Sequence, residues 1–107
     1  MATVNRQRSV LSGLRLDQAK EMHYVYILWS EGQRKSYIGY TADLERRLKE
    51  HEQGKCHTTQ RLGNPELIFY EAFRNENDAR RREGYFKTTK GKKTLRLMLR
   101  ATFCPVV

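Results

Sequence analysis

Long apolar runs are missing from this 107-residue chain: none approaches the ~20 residues that a membrane-spanning helix needs. Its first residues also hold no hydrophobic stretch suited to a secretory signal, so the expectation is a cytoplasmic protein with no membrane partner. Cysteine is scarce. Cys56 and Cys104 are the only two, far apart, which in a reducing compartment reads as two free thiols rather than a disulfide framework. The grouping His51, Cys56, His57 matches no standard zinc-ligand spacing and is expected to lie on surface and loop. Internal repeats, zinc fingers and recognition-helix patterns are absent as well, so nothing in the chain names a target sequence. Acidic residues are in short supply, 12 Asp and Glu against 21 Lys and Arg, for a formal net charge of +9. A chain so charged is attracted to a polyanion, and nucleic acid is the natural one.

The length suits one domain with one modest core. Residues 1–21 carry Arg6, Arg8, Arg15 and Lys20 among scattered aliphatics without a sustained stripe, and read as a basic, flexible arm or an overlong translation start. The compact domain is expected over residues 22–101, with 102–107 as a tail. Tyr24–Leu28 and Ser36–Tyr40 are β-prone runs separated by the polar linker Trp29 to Lys35, which predicts an antiparallel hairpin. Thr41 is placed to cap a helix reaching about Gln53, with Asp43 and Glu45 in its first turn and Gly54 ending it. Leu44 and Leu48 form its apolar face, and Arg47 and His51, also four apart, lie side by side on an adjoining one.

After a polar loop, Leu67–Phe73 is apolar and aromatic enough to be a third strand, expected to be the most buried of the three. Asn75 or Asn77 starts a second helix whose Ala79, Glu83 and Phe86 share a face, so Glu83 tends inward. Gly91 is expected to break the chain before a last helix over Thr94–Ala101. The fold class is therefore α+β: a three-stranded antiparallel sheet flanked by helices, in the order β-β-α-β-α-α. From Arg74 to Arg100 ten Lys and Arg stand against three acids, concentrating the positive charge in the last two helices.

The chain resembles the GIY-YIG nuclease domain, in its small single-domain branch. Tyr24-Val25-Tyr26 stands for the first motif and Tyr37-Ile38-Gly39 for the second; Arg47 matches the helix arginine, with His51 one turn on. Arg82-Glu83-Gly84-Tyr85-Phe86-Lys87 matches the helix of the family glutamate, followed by a basic stretch, so that the resemblance covers Met22 to about Arg100. Departures are Tyr24 in place of the motif glycine, Tyr40 where several members carry lysine, and no asparagine after the Glu83 helix. The resemblance implies DNA phosphodiester hydrolysis with one divalent ion, Mg²⁺ or Mn²⁺. It assigns Tyr26 or Tyr37 as general base, Tyr26 preferred, Arg47 as phosphate ligand and Glu83 as metal ligand, with His51 a further catalytic candidate.

These residue types suit that chemistry. Attack on a phosphodiester needs a base for the water, a planar cation for the phosphoryl oxygens and stabilisation of the leaving oxygen. Arginine offers two parallel donors to phosphate, which favours Arg47 over Lys49. Magnesium keeps several waters and needs only one or two protein carboxylates, so Glu83 alone can suffice. Tyrosine is the difficult element: with a pKa near ~10, roughly one part in a thousand is phenolate at pH 7, and a cation must lower that value. Arg80, Arg81, Arg82, Lys87, Lys90, Lys92 and Lys93 are the expected DNA-backbone contacts. Selectivity is expected to be weak or supplied by a protein partner. Two other readings use the same residues: a non-catalytic basic DNA-binding module on this scaffold, and a protein-interaction domain with exposed aromatics.

Overall fold

Three strands, β1 (His23–Ser30), β2 (Lys35–Thr41) and β3 (Glu66–Phe73), form an antiparallel sheet in the order β2-β1-β3. A computed structural model of the chain describes residues 21–54 and 61–103. All of the basic arm but Glu21, together with Cys56, His57 and Cys104, lies outside the described residues. Between β2 and β3 runs helix α1 (Leu44–Glu52); after β3 come α2 (Glu76–Phe86), α3 (Thr89–Met98) and the short α4 (Arg100–Phe103). Among the described residues no helix is long and apolar enough to cross a membrane.

The predicted hairpin is present, but its strands run further than the apolar runs. Trp29 pairs with Ser36 and Ser30 with Lys35, leaving only residues 31–34 for the turn, with Arg34 in the left-handed region at φ 52°. The most buried strand is not the expected one. β1 is the most buried strand, because it has a neighbour on each side and helices over both faces: Val25, Tyr26, Ile27 and Leu28 are all buried. β3 is an edge strand, with Tyr70 52% exposed despite its aromatic composition. Apolar content could not reveal this, since it says nothing about which strand has two neighbours.

Side chains alternate across β1. Val25 and Ile27 point to one face, where with Ile38 they meet Ala79 and Phe86 of α2 and Leu95 of α3 to make the core. Burying each of the larger aliphatic or aromatic groups contributes about 1.5–3 kcal/mol. A register shift between Ile27 and Leu28 gives β3 one extra residue, and both Ile68 and Phe69 pack against that core. The opposite face, bearing Tyr26 and Leu28, is turned toward α1.

Asn75 caps α2 by accepting from the Asn77 amide. Gly91 does not break the chain. It sits in the first turn of α3, capped by Thr88, and is buried where a Cβ would run into the Tyr85 carbonyl at the end of α2. Glycine is there for a close helix approach rather than for a stop. Leu95 is buried and Leu97 72% exposed, the helical rather than the strand pattern. Of the residues expected as a tail, Thr102 and Phe103 belong to α4, the Phe103 ring meeting Trp29 edge-on with centroids 5.1 Å apart, and 104–107 lie outside the described residues.

Candidate active site

Tyr26 sits midway along the central strand, opposite Gly39 of β2. Its ring occupies the space that a side chain at 39 would need: a Cβ there would lie 2.6 Å from both the Tyr26 Cζ and its hydroxyl, and 2.8 Å from Tyr37 Cε1. The glycine of the second motif is therefore what lets the tyrosines of both motifs lie together on one face, their centroids 6.0 Å apart. Tyr37 is half-buried.

Helix α1 delivers the remaining groups. Asp43, not Thr41, is its N-cap, accepting from the Arg46 amide at 3.1 Å. Thr41 acts one step earlier: its Oγ1 accepts from the Asp43 amide at 3.0 Å and so shapes the entry to the helix. The leucines are not its most buried residues. Leu44 and Leu48 are only half-buried, and His51, at 5% exposure, is the buried residue of the helix, not a surface one. The reason is polar: His51 Nε2 lies 2.9 Å from the Tyr26 hydroxyl, which satisfies both buried groups. One turn earlier, Arg47 Nε donates to the same hydroxyl at 3.2 Å. The ring of His51 also meets Tyr37 edge-on, at 5.4 Å.

The electrostatics follow from burial. Burial pushes the Tyr26 phenol above its ordinary value; the hydrogen bond and charge of Arg47 oppose this without overcoming it. Burial also lowers His51, and the Arg47 cation lowers it further against the opposing pull of Glu50. The imidazole is thus held neutral. The hydrogen bond to Tyr26, together with Glu50, raises Arg47 and secures its charge against its own partial burial. Tyr37 perturbs both Tyr26 and Arg47, which places its hydroxyl in the same group.

Sequence reasoning missed Glu50. Its Oε1 accepts from Arg47 Nη1 at 2.9 Å and aims the guanidinium. The signal was there: an acid three residues after the arginine on a helix lies on the same side.

Glu83 is placed elsewhere. It projects from α2, the helix that packs on the Val25 and Ile27 face of the sheet, whereas Tyr26 points to the other face. Its carboxylate is 3.2 Å from Lys87 Nζ and perturbs Tyr40 and Arg80 rather than Tyr26. Tyr40 pairs with Val25 and so belongs to the α2 face, its ring 4.1 Å beneath the Arg80 guanidinium and its hydroxyl 2.8 Å from His23 Nδ1. The two groups share an edge strand instead of a face: Tyr37 and Gly39 lie to one side of β2, Tyr40 to the other, and among the described residues no strand pairs with the outer edge of β2. No cluster of three or more metal-ligating side chains exists among the described residues. A cation held by Glu83 would therefore keep most of its coordination for water and phosphate, which fits Mg²⁺.

The basic residues divide. Arg82 donates to both oxygens of Glu71, at 2.9 and 3.3 Å, and covers Phe86, so it ties α2 to β3 rather than standing ready for phosphate. Arg80 pairs with Glu76 at 2.7 Å, Arg81 with Asp78 at 3.3 Å and Lys87 with Glu83. Lys90, Lys92 and Lys93 are exposed and make no ion pair among the described residues.

A tyrosine hairpin followed by an arginine helix, with a glutamate helix behind the same edge strand, defines the class. The family model described as the GIY-YIG catalytic domain matches residues 22–96, and the chain belongs to that family. Among its relatives are proteins named UPF0213. One from Pediococcus acidilactici is 36% identical over 78 residues, covering 70% of this chain and 79% of the relative. Others are from Clostridium perfringens, 36% identical with 72% and 83% covered, and Bacillus pumilus, 40% identical with 71% and 79% covered. No solved structure matches the chain significantly.

Proposed function

We propose that this protein is a metal-dependent endonuclease that hydrolyses DNA phosphodiester bonds at the free edge of β2. The observation that carries this reading is the buried Tyr26 hydroxyl, held between the Arg47 guanidinium and a neutral His51.

Arginine can only donate, so the phenol oxygen accepts from Arg47 and, with His51 protonated on Nδ1, passes its own proton toward Nε2. This answers the difficulty of a tyrosine base whose pKa is raised. The phenolate never has to form in advance. As water attacks phosphorus, its proton is taken at the half-buried Tyr37 hydroxyl, the Tyr37 proton moves to the buried Tyr26 oxygen and the Tyr26 proton to His51 Nε2, and the scissile P–O bond breaks. The imidazolium then returns that proton through Tyr26 and Tyr37 toward solvent or the leaving oxygen. Arg47, held by Glu50, offers its remaining N–H groups to the phosphoryl oxygens. Glu83 is the residue proposed to hold one Mg²⁺ or Mn²⁺ ion. Such an ion, when bound, supplies charge neutralisation at the phosphate and the leaving oxygen. For both groups to act on one phosphodiester, its backbone would have to cross β2 between Tyr37 and Tyr40, with Tyr26 and Arg47 on one face of the sheet and Glu83 on the other.

A second reading, a basic DNA-binding module without cleavage, is favoured by one observation: Glu83 is paired with Lys87 and lies on the face away from Tyr26. Incubating the purified chain with nicked, branched and duplex DNA, with and without Mg²⁺ or Mn²⁺, separates the two. Metal-dependent nicking lost in both Arg47→Ala and Glu83→Gln supports the nuclease. Binding without cleavage in any metal supports the module.

A further inference from the structure

A second basic surface lies where the hairpin turn meets the last helices. A groove of about 600 Å³ is lined by Arg34 and Lys35 of the hairpin and by Lys92, Arg96 and Arg100 of α3 and α4. All five cations are exposed. Its floor is aromatic: Trp29 and Phe103 meet edge-on there, beside Leu95. One nearby acid, Glu31, accepts from the indole Nε1 at 2.7 Å and so fixes the orientation of the ring, while pairing loosely with Arg34 at 3.8 Å.

This groove is separate from the tyrosine cluster. Trp29 shares a face of β1 with Val25 and Ile27, whereas Tyr26 points to the other. Arg100 and Phe103, which complete it, fall beyond residues 22–96, the part matched by the family model. Five lining cations outnumber the two acids beside Trp29, Glu31 and its cross-strand partner Glu66, and call for a polyanion, while the aromatic floor calls for a ligand with flat apolar faces between its charges. A duplex keeps its base faces stacked inside, whereas an unpaired strand exposes them, and base-on-aromatic stacking beside a cationic track is how single strands are held without sequence selectivity.

We propose that this groove binds single-stranded nucleic acid, its bases stacking on Trp29 and Phe103 and its phosphates on Lys92, Arg96 and Arg100. If the chain is also the nuclease argued above, this would direct it to substrates with an unpaired arm. The binding itself rests only on the groove.

Trp29 is the single tryptophan of the chain, so its fluorescence reports on the groove directly. The full-length protein in chelator, where no metal-dependent cleavage can occur, is titrated with a short oligothymidylate, an abasic deoxyribose-phosphate oligomer of equal length and a blunt duplex. Quenching by oligothymidylate and not by the abasic oligomer is expected. Combining Lys92→Gln, Arg96→Gln and Arg100→Gln should weaken single-strand binding about tenfold or more and reduce the log–log salt slope by about 2. Duplex affinity should fall less, since of the three only Lys92 is also an expected duplex contact. If the combined variant melts below the parent, the exposed single changes Lys92→Gln and Arg96→Gln carry the comparison, each lowering the slope by about 0.7. The proposal is overturned if oligothymidylate fails to quench, if the abasic oligomer quenches equally, if affinity and slope survive the substitutions, or if duplex binding falls as far. Cleavage enters none of these readings, so they stand apart from any failure of the nuclease assignment.

Discussion

Gly39 lies directly beneath the ring of Tyr26, so close that a Cβ at 39 would sit 2.6 Å from the phenol carbon and oxygen. The ring cannot yield easily, because its hydroxyl is already held by Arg47 and His51. Gly39→Ala should therefore displace Tyr26 and overpack the sheet. The expected loss is about 1–3 kcal/mol of stability, read by urea unfolding, together with most of any cleavage activity. Gly84→Ala is the control: nothing lies within 4 Å of a Cβ there, and it should leave both unchanged or raise stability slightly. Equal tolerance at the two positions would mean that the tyrosine packing is looser than described.

The buried pair of His51 and Tyr26 predicts how stability depends on pH. His51 is lowered from its ordinary value near 6.5, so below that value the unfolded chain takes up a proton that the folded one refuses. This stability is fully present above about pH 6.5 and falls as the pH drops toward the folded value. Tyr26 is raised from 10.0, so above that pH the unfolded chain ionises first and stability falls again. Denaturation midpoints measured from pH 5 to pH 11 should thus show a plateau with a decline on each side. In His51→Gln the acid-side decline should shrink, and a profile identical to the parent would show that the imidazole is not held neutral by its surroundings.

Much of this arrangement is legible in the residues before any coordinates. Alternation marks the hairpin, helical spacing puts Arg47 beside His51, and Glu83 falls on the inward face with Ala79 and Phe86. What stays hidden depends on neighbours that one sequence does not name. Aromatic Leu67–Phe73 reads as the most buried strand, yet burial follows from pairing partners, and β1 lies in the middle. His51 reads as a polar face residue because its burial is stabilised by a hydroxyl 25 positions earlier. Gly91 reads as a stop, while its real constraint is the carbonyl of Tyr85 in the preceding helix. Glu83 reads as inward-tending, but spacing along a chain does not tell which side of the sheet its helix will cover.

Glu83→Gln is expected to abolish metal-dependent cleavage with DNA affinity equal to or slightly above the parent, because it removes one negative charge and the proposed metal ligand. Lys87 loses its partner in this variant, which also favours phosphate binding. Arg47→Ala should lose rate and some affinity together, and Arg47→Lys should recover charge without the paired donors. Parental metal-dependent rates in purified Glu83→Gln would place the metal on other residues.

The basic cluster should separate into binding and structural members. Lys90 and Lys93 are exposed and Arg81 is held only by a surface pair with Asp78, so replacing all three with glutamine should weaken duplex binding alike on unrelated sequences and flatten its salt dependence. Arg82 differs, being half-buried against Glu71 with its guanidinium over Phe86. Arg82→Gln should cost on the order of 1 kcal/mol in stability, by losing a paired charge and ring contact, while leaving the salt slope nearly unchanged. The slope discriminates better than affinity, since partial unfolding would weaken binding in either variant. If Arg82→Gln flattens the salt dependence as much as the triple replacement while melting like the parent, Arg82 leaves Glu71 for phosphate when DNA binds.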